Sequence, residues 1–321
     1  AGAPASDWLP IATASLDHTI AALGDSSRYL SPAALALLGG AVMNACDRLD
    51  GVEDGLIGDP RRCRFDPATL RCGSASIGNR CLTPGQIDAV ERIYRGVVHP
   101  TNGQRIAPGL ERGSELGWIA WATPGDALPL PITDYQWLVF GDSTWDWRSF
   151  DLANARDHAV WAAADRRLTP LLSAIDPDLR AFRARGGKLI EYHGWSDPLI
   201  APQFSIDYND RVVSRDSSAG QPRTDAQTDV QQFYRLFMVP GMGHCGGGDG
   251  PNTFDMEHAL ADWVERGVAP ASVIATHHGR GGVPDRERPL CPYPEAAVYD
   301  GNGDINRAVS FACRDRAVPR N

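Results

Sequence analysis

The chain of 321 residues lacks several signatures that would assign its chemistry directly. It has no G-x-S-x-G nucleophile elbow, no CxxC or CxxH pair of the kind that binds zinc, and no phosphate-binding loop with its lysine. No window approaches 18 uninterrupted apolar residues, which disfavours a membrane span. The formal net charge of -9 disfavours affinity for a nucleic-acid backbone. We therefore expect neither nucleic acid nor a membrane as a partner.

The cysteine content indicates an oxidising compartment. The chain has seven cysteines, nine tryptophans, a single lysine (Lys188) and many loops rich in Pro and Gly. Cysteines at wide, loop-rich spacings favour disulfides, so we expect a secreted or periplasmic protein. Because seven is odd, at least one cysteine is unpaired or has its partner outside the chain. The start at Ala1, without a methionine or a signal-like segment, leads us to expect processing or truncation.

The length suits two compact units or one large unit with an insertion. Up to about residue 180, helices alternate with long loops. One helix is predicted to begin at Pro32 with Ser31 as its N-cap. A second is predicted to begin at Pro84, with Thr83 as its N-cap, and to end at Gly96.

The pattern changes after residue 180. A helix that stops at two glycines precedes an apolar strand over residues 188–192 and a loop over residues 193–198. A second strand, over residues 233–239, is followed by the glycine-rich segment "PGMGHCGGG", then by an amphipathic helix and a strand at residues 272–278. This alternation predicts a mostly parallel sheet whose functional groups follow the carboxyl ends of its strands.

Asp197 and His244 each follow one of these strands. Because loops after adjacent parallel strands emerge at one edge of the sheet, the carboxylate is expected to hydrogen-bond the imidazole and orient it. This would be the acid–base half of a Ser-His-Asp system. A surface histidine and an Asp-Pro turn without a catalytic role are the alternative. Glu191 is a rival acid, but it lies inside the strand.

The nucleophile is missing from this pattern. The segments "GDSTW" (141–145) and "GWSDP" (194–198) carry only the first glycine of an elbow, and the first of them lies in the loop-rich region. Both are poor candidates.

A second group of candidate residues lies in "CDRLDGVEDGLIGDPRRC", residues 46–63. Asp47, Asp50 and Asp54 supply hard oxygen ligands in a turn punctuated by glycines, which is what Ca²⁺ coordination requires. The spacing is not that of an EF-hand. A solvated acidic loop is the alternative, but cysteines at both ends could clamp the turn, which favours a metal site.

Together, the segments "CDRLDGVEDGLIGDPRRC", "CLTPGQIDAVERIYRG", "YHGWSDPLI", "FYRLFMVPGMGHCGGG" and "GDINRAVSFAC" resemble the tannase and feruloyl esterase family. That family includes the enzyme that hydrolyses mono(2-hydroxyethyl) terephthalate. The resemblance implies an α/β-hydrolase fold with a large, loop-rich, calcium-binding lid. Residues 1–7 would end the first hydrolase segment, residues 8–180 would form the lid, and residues 181–321 would form the C-terminal part of the hydrolase domain.

By position, the resemblance implies that Asp197 is the triad acid and His244 the triad base. It implies calcium ligation by the side chains of Asp47, Asp50 and Asp54 and the carbonyls of Val52 and Leu56. It also implies disulfides Cys46–Cys63, Cys72–Cys81 and Cys291–Cys313. Cys245 would then pair with a cysteine just before the nucleophilic serine, in an upstream segment that also carries the oxyanion hole.

The sequence therefore predicts a serine esterase that acts on esters of aromatic acids, represented here without its nucleophile. Its partners would be a small aromatic ester and, through Cys245, an upstream polypeptide. Trp118 and Trp121 could stack on the aromatic ring, although tryptophans more often fill a core. The alternatives are a catalytically inactive, calcium-stabilised module that binds aromatic ligands, and a plain extracellular structural domain.

Overall fold

The computed structural model of the chain describes residues 1–73, 80–122, 129–218 and 220–315. Within these residues the α-helices are α1 (Trp8–Leu23), α2 (Pro32–Cys46), α3 (Pro84–Arg95), α4 (Pro129–Asp134), α5 (Ala155–Leu172), α6 (Arg180–Ala184), α7 (Gln203–Asp216), α8 (Arg223–Val230) and α9 (Met256–Arg266). The strands are β1 (Val97–Val98), β2 (Arg105–Ala107), β3 (Leu189–Gly194), β4 (Tyr234–Val239), β5 (Val273–His278), β6 (Pro284–Leu290), β7 (Glu295–Tyr299) and β8 (Phe311–Asp315). A π-helix, Tyr135–Phe140, continues α4.

The predicted helix caps in the N-terminal part are confirmed. Ser31 Oγ accepts the N–H of Ala34 at 3.2 Å and so satisfies one of the free donors at the start of α2. Thr83 and Gln86 form a capping box at the start of α3. Gly96, with φ of +73°, ends α3 in a conformation that favours glycine.

Helices α1 to α5 pack around two apolar clusters. One cluster joins α1, α2 and α3 and includes the fully buried Leu38 and Ile93, and the other joins α1 to the π-helix and α5. Burial of each such side chain contributes about 1.5–3 kcal/mol. Trp118 and Trp121 belong to the first cluster and are only 0% and 2% exposed. They are core residues, so the suggestion that they stack on a bound ring is wrong.

Strands β3 and β4 pair in parallel over their whole lengths, from Leu189↔Tyr234 to Gly194↔Val239. Residues 1–3 run along the other edge of β3, where the N–H of Ala3 donates to the carbonyl of Tyr192 at 2.8 Å. Alternate side chains of β4 pack against α7 and α8 on one face and against α9 on the other. Such strands, covered on both faces, are typical of α/β proteins.

The structure departs from the predicted sheet in two ways. Strands β5 and β6 form a separate antiparallel pair, as do β7 and β8, so β3 and β4 are the only strands of the described residues that pair in parallel. Gly281 and Gly282 have φ of +78° and +75° and turn β5 back onto β6. In addition, β3 extends through His193 and Gly194, which were predicted to lie in a loop, because both pair with the end of β4.

The three disulfides implied by the resemblance are present: Cys46–Cys63, Cys72–Cys81 and Cys291–Cys313. In the chain-entropy model each closes a short loop and contributes about 3 kcal/mol. Cys245 is a free, exposed thiol. In the part of the chain that the structure describes, no helix is both long and apolar enough to cross a membrane. The division of the chain at residues 7 and 180 stays a prediction.

Candidate active site

The loops that follow β3 and β4 are bound to each other through their backbones. The N–H of Trp195 donates to the carbonyl of Val239 at 2.9 Å, and the N–H of Ser196 donates to the carbonyl of Met242 at 3.0 Å. A Cβ added at Gly194 would lie 2.2 Å from that Met242 oxygen, so only glycine permits this approach. The backbone itself therefore sets the distance between the two loops.

These loops bring the predicted acid and base together. The Nδ1 atom of His244 lies 2.8 Å from Oδ2 of Asp197, and Asp197 is fully buried. Its other oxygen, Oδ1, accepts the N–H groups of Leu199 at 2.8 Å and Ile200 at 2.9 Å. These two backbone bonds hold Oδ1 and leave Oδ2 to contact the imidazole.

The surroundings determine the charge of both groups. Burial alone would raise the pKa of Asp197, but hydrogen bonds from His193 and His244 outweigh it and lower that pKa to about 2. The bond to Asp197 raises the pKa of His244, and partial burial opposes the shift. Because a carboxylate only accepts, Nδ1 of His244 must carry the hydrogen and donate it.

This tautomer leaves Nε2 of His244 as the atom with a free lone pair when the ring is neutral. None of the residues in the described ranges hydrogen-bonds that nitrogen. The His244 side chain is 34% exposed. It borders a cavity of about 200 Å³ that is also lined by Met43, Ile57, Leu116 and Pro198. The ring can therefore take a proton from a group placed in this cavity.

The rival acid Glu191 does not reach the imidazole. Its Oε2 atom accepts the hydroxyl of Tyr234 at 2.6 Å inside the protein. The sequence reasoning missed His193, which contacts Asp197 directly. Its Nε2 atom lies 3.2 Å from Oδ2 of Asp197. The only signal in the sequence was the four-residue spacing between His193 and Asp197. That spacing could be interpreted only once β3 was known to extend through His193.

The proposed calcium ligands have the right donor chemistry, and in this structure the side chains of Asp47 and Asp54 have protein partners. Asp47 accepts the backbone N–H groups of Asp54 and Gly55 at 3.1 and 3.0 Å. Asp54 forms an ion pair with Arg288, and the two side chains are only 4% and 5% exposed. No group of three His, Cys, Asp or Glu side chains suited to a metal ion occurs within the described ranges.

Cys245 lies beside the site, directly after His244. Its Sγ atom is 3.4 Å from the carbonyl oxygen of Gly2, in the segment that runs along β3. Its φ of +48° is uncommon for a residue other than glycine. The thiol is thus held where the loop that follows β4 meets the N-terminal residues.

Comparisons with known proteins agree on one family. Residues 1–314 match the sequence pattern of the family described as tannase and feruloyl esterase. An uncharacterized esterase of Xanthomonas campestris pv. campestris is 37% identical over 98% of this chain and 60% of its own length. The mono(2-hydroxyethyl) terephthalate hydrolase of Piscinibacter sakaiensis is 33% identical over 89% of this chain and 52% of its own length.

A solved structure of a feruloyl esterase is also similar to this chain. The crystal structure of feruloyl esterase B from Aspergillus oryzae matches with a TM-score of 0.86 and 27% identity, over 98% of this chain and 63% of that one. This similarity supports an α/β-hydrolase-like fold. The chain spans less than two thirds of the length of these relatives.

Proposed function

Because the chain belongs to the tannase and feruloyl esterase family, we propose that it supplies the acid–base half of a serine carboxylic ester hydrolase that acts on esters of aromatic acids. The observation that carries the proposal is the 2.8 Å bond between Asp197 and His244. It fixes the hydrogen of a neutral imidazole on Nδ1 and leaves Nε2 able to take a proton, in a residue that lines the cavity.

In this mechanism a serine hydroxyl attacks the ester carbonyl while Nε2 of His244 takes its proton. Asp197 stabilises the imidazolium that forms. His244 then gives the proton to the leaving alcohol as the carbonyl–oxygen bond breaks, which leaves an acyl-enzyme. Attack by a water molecule, again with His244 as base, releases the acid and restores the serine.

The attacking serine is proposed to come from a segment that precedes Ala1 in the intact enzyme. Two observations support this: the chain spans about 60% of the length of its relatives, and no described serine hydrogen-bonds His244. Ser196 lines the same cavity but is held by its backbone to the loop that follows β4. Cys245 is proposed to bond a cysteine of that segment, since its thiol is exposed beside the base.

The substrate class is supported by the cavity and by the names of the relatives. Met43, Ile57, Leu116 and Pro198 give the space beside His244 an apolar wall. At about 200 Å³ it is smaller than the roughly 300–1,000 Å³ typical of sites for drug-sized ligands, so it suits the single ring of an aromatic acyl group. Two relatives are named mono(2-hydroxyethyl) terephthalate hydrolase and probable feruloyl esterase, and both names denote esters of aromatic acids as substrates.

The test measures hydrolysis of methyl ferulate and of a p-nitrophenyl ester by this chain and by the longest gene product that contains it. We expect His244→Ala to lower kcat/KM of the longer protein by about 10⁴-fold or more. Ser196→Ala is the matched control because it lines the same cavity, and it should retain activity. Binding of ferulate without turnover would favour an inactive ligand-binding module, and neither binding nor turnover would favour a structural domain.

The intact mass of the natural protein without reduction tests the role of Cys245. A mass that exceeds this chain and falls after reduction is expected if a second polypeptide is attached. A reactive free thiol at Cys245 in the natural protein would contradict the proposed bond.

We also propose that calcium binds through the side chains of Asp47, Asp50 and Asp54 and the carbonyls of Val52 and Leu56. The hard oxygen donors and the Cys46–Cys63 clamp support this. A saturating chelator should lower the melting temperature because a bound ion stabilises only the folded state. An unchanged melting curve would instead favour the Asp54–Arg288 pair as the resident neutralising contact of this loop.

A further inference from the structure

Two imidazoles, rather than one, contact the same oxygen of Asp197. Nδ1 of His244 lies 2.8 Å from Oδ2, and Nε2 of His193 lies 3.2 Å from it. His193 is fully buried at the end of β3, so it cannot exchange protons directly with substrate in the cavity. The triad chemistry described above makes no use of it.

The surroundings of His193 fix which of its nitrogens carries a hydrogen. Nε2 is also 3.0 Å from the carbonyl oxygen of Ile200. A carbonyl and a carboxylate can only accept hydrogen bonds, so Nε2 must be the donor whether the ring is neutral or charged. Nδ1 lies 2.7 Å from the hydroxyl of Ser205 on α7, and this hydroxyl can either donate or accept.

The contacts continue from Ser205 into the protein interior. Glu191 and His193 lie on the same face of β3, two residues apart, and that face packs against α7. Glu191 Oε2 accepts the hydroxyl of Tyr234 at 2.6 Å. Burial raises the pKa of Glu191, and the nearby hydroxyls of Ser205 and Tyr234 oppose that shift. Glu191, His193, Ser205 and Tyr234 are all at most 4% exposed. Burial of four polar side chains is costly unless each is paired, so this group of side chains calls for a functional explanation.

We propose that His193 is a positioning residue that holds Oδ2 of Asp197 toward His244, and that the Ser205 hydroxyl holds the His193 ring through its contact with Nδ1. The inference rests on the proposed function, because it assigns His193 a role in orienting the catalytic base. Without His193, Oδ2 would have His244 as its single side-chain donor, and only the two bonds to Oδ1 would fix the carboxylate plane.

The experiment is an NMR measurement on this chain, which has eight histidines, after labelling with ¹⁵N-histidine. The readout is the Nδ1 hydrogen of His244 and its exchange rate with water. His193→Gln keeps an N–H near the position of Nε2, whereas His193→Leu removes it. His18→Leu is the matched control, because His18 is a buried histidine in α1, 3% exposed, without a contact to the site.

We expect slow exchange of the His244 Nδ1 hydrogen in the wild type, in His193→Gln and in His18→Leu. In His193→Leu it should exchange about 10- to 100-fold faster, the factor that corresponds to one hydrogen bond to a charged group. Unchanged exchange in His193→Leu would overturn the proposal. If that variant does not fold, His193→Phe, which keeps a planar ring without an N–H, decides: faster exchange supports the proposal and wild-type exchange refutes it.

A kinetic measurement separates this inference from the proposed function. In an active longer protein, His193→Leu should lower kcat by a similar factor with little change in KM, and His193→Gln should restore most of it. If the NMR result is as expected but no ester is hydrolysed, the proposed function fails and the positioning contact stands.

Discussion

The substitution Asp197→Asn tests the site at the carboxylate whose two oxygens are both hydrogen-bonded. Leu199 and Ile200 donate their N–H groups to Oδ1, so the amide oxygen of the variant should stay at that position. The new NH₂ group then takes the place of Oδ2 and faces the N–H groups of His193 and His244. Two donors cannot bond each other, so His244 is expected to shift its hydrogen to Nε2, where it can no longer act as a base.

The magnitude follows from the charge that the substitution removes. A pKa of about 2 in place of 3.8 corresponds to about 2 kcal/mol of stabilisation of the folded state at pH 7. Because the folded-state pKa is the lower one, this contribution is complete above the unfolded pKa. It is lost as the pH falls through the folded value. At pH 3 it should be smaller by about 1 kcal/mol.

The assay is urea unfolding of the wild type and of Asp197→Asn at pH 7 and pH 3. We expect the variant to lose at least about 2 kcal/mol at pH 7 and clearly less at pH 3. The ¹⁵N shifts of His244 should report the changed tautomer. Equal destabilisation at both pH values, or a His244 that keeps its hydrogen on Nδ1, would refute the reasoning.

Three further outcomes are expected. Gly194→Ala should separate the two loops and lower the melting temperature, because its Cβ would meet the Met242 carbonyl at 2.2 Å; an unchanged melting temperature would contradict this. Arg288→Leu should cost about 3–5 kcal/mol in urea unfolding by leaving the Asp54 carboxylate buried without its partner, and a cost below 1 kcal/mol would show that the pair is not essential. The raised pKa of His244 means that the bond to Asp197 stabilises the fold fully below pH 6.5, and that this contribution is lost as the pH rises through the folded value. Ester hydrolysis should rise over that same interval because the base must be neutral, and a rate already at its maximum below pH 6.5 would disagree.

The features that the sequence predicted well are those determined by local chemistry. Ser31 and Thr83 cap their helices because their hydroxyl groups lie within reach of free backbone donors three residues later. Asp197 and His244 were paired because parallel strands end at a common edge, which is a general property of α/β sheets. Neither inference needed knowledge of distant contacts.

The features that the sequence did not predict depend on residues far apart in the chain. Arg288 neutralises Asp54 across 234 residues, and nothing near either residue marks the partner. The extension of β3 through His193 depends on the register with β4. The hairpin of β5 and β6 likewise depends on which strand pairs with which, a choice that alternation of helices and strands cannot make.

The hydrogen bonds that position Asp197 and His244 lie within residues 193–244, and this limits what can disturb the pair. The bonds of Trp195 to Val239 and of Ser196 to Met242 connect the two loops, and the Oδ1 contacts of Asp197 come from its own loop. The described residues between 8 and 180 supply Met43, Ile57 and Leu116 to the cavity wall but no hydrogen bond to the side chain of Asp197 or His244. Substitutions at those three positions should therefore change which acyl group is accepted while the orientation of His244 stays the same. If the proposed function is correct, substrate choice and acid–base geometry rest on separate sets of contacts.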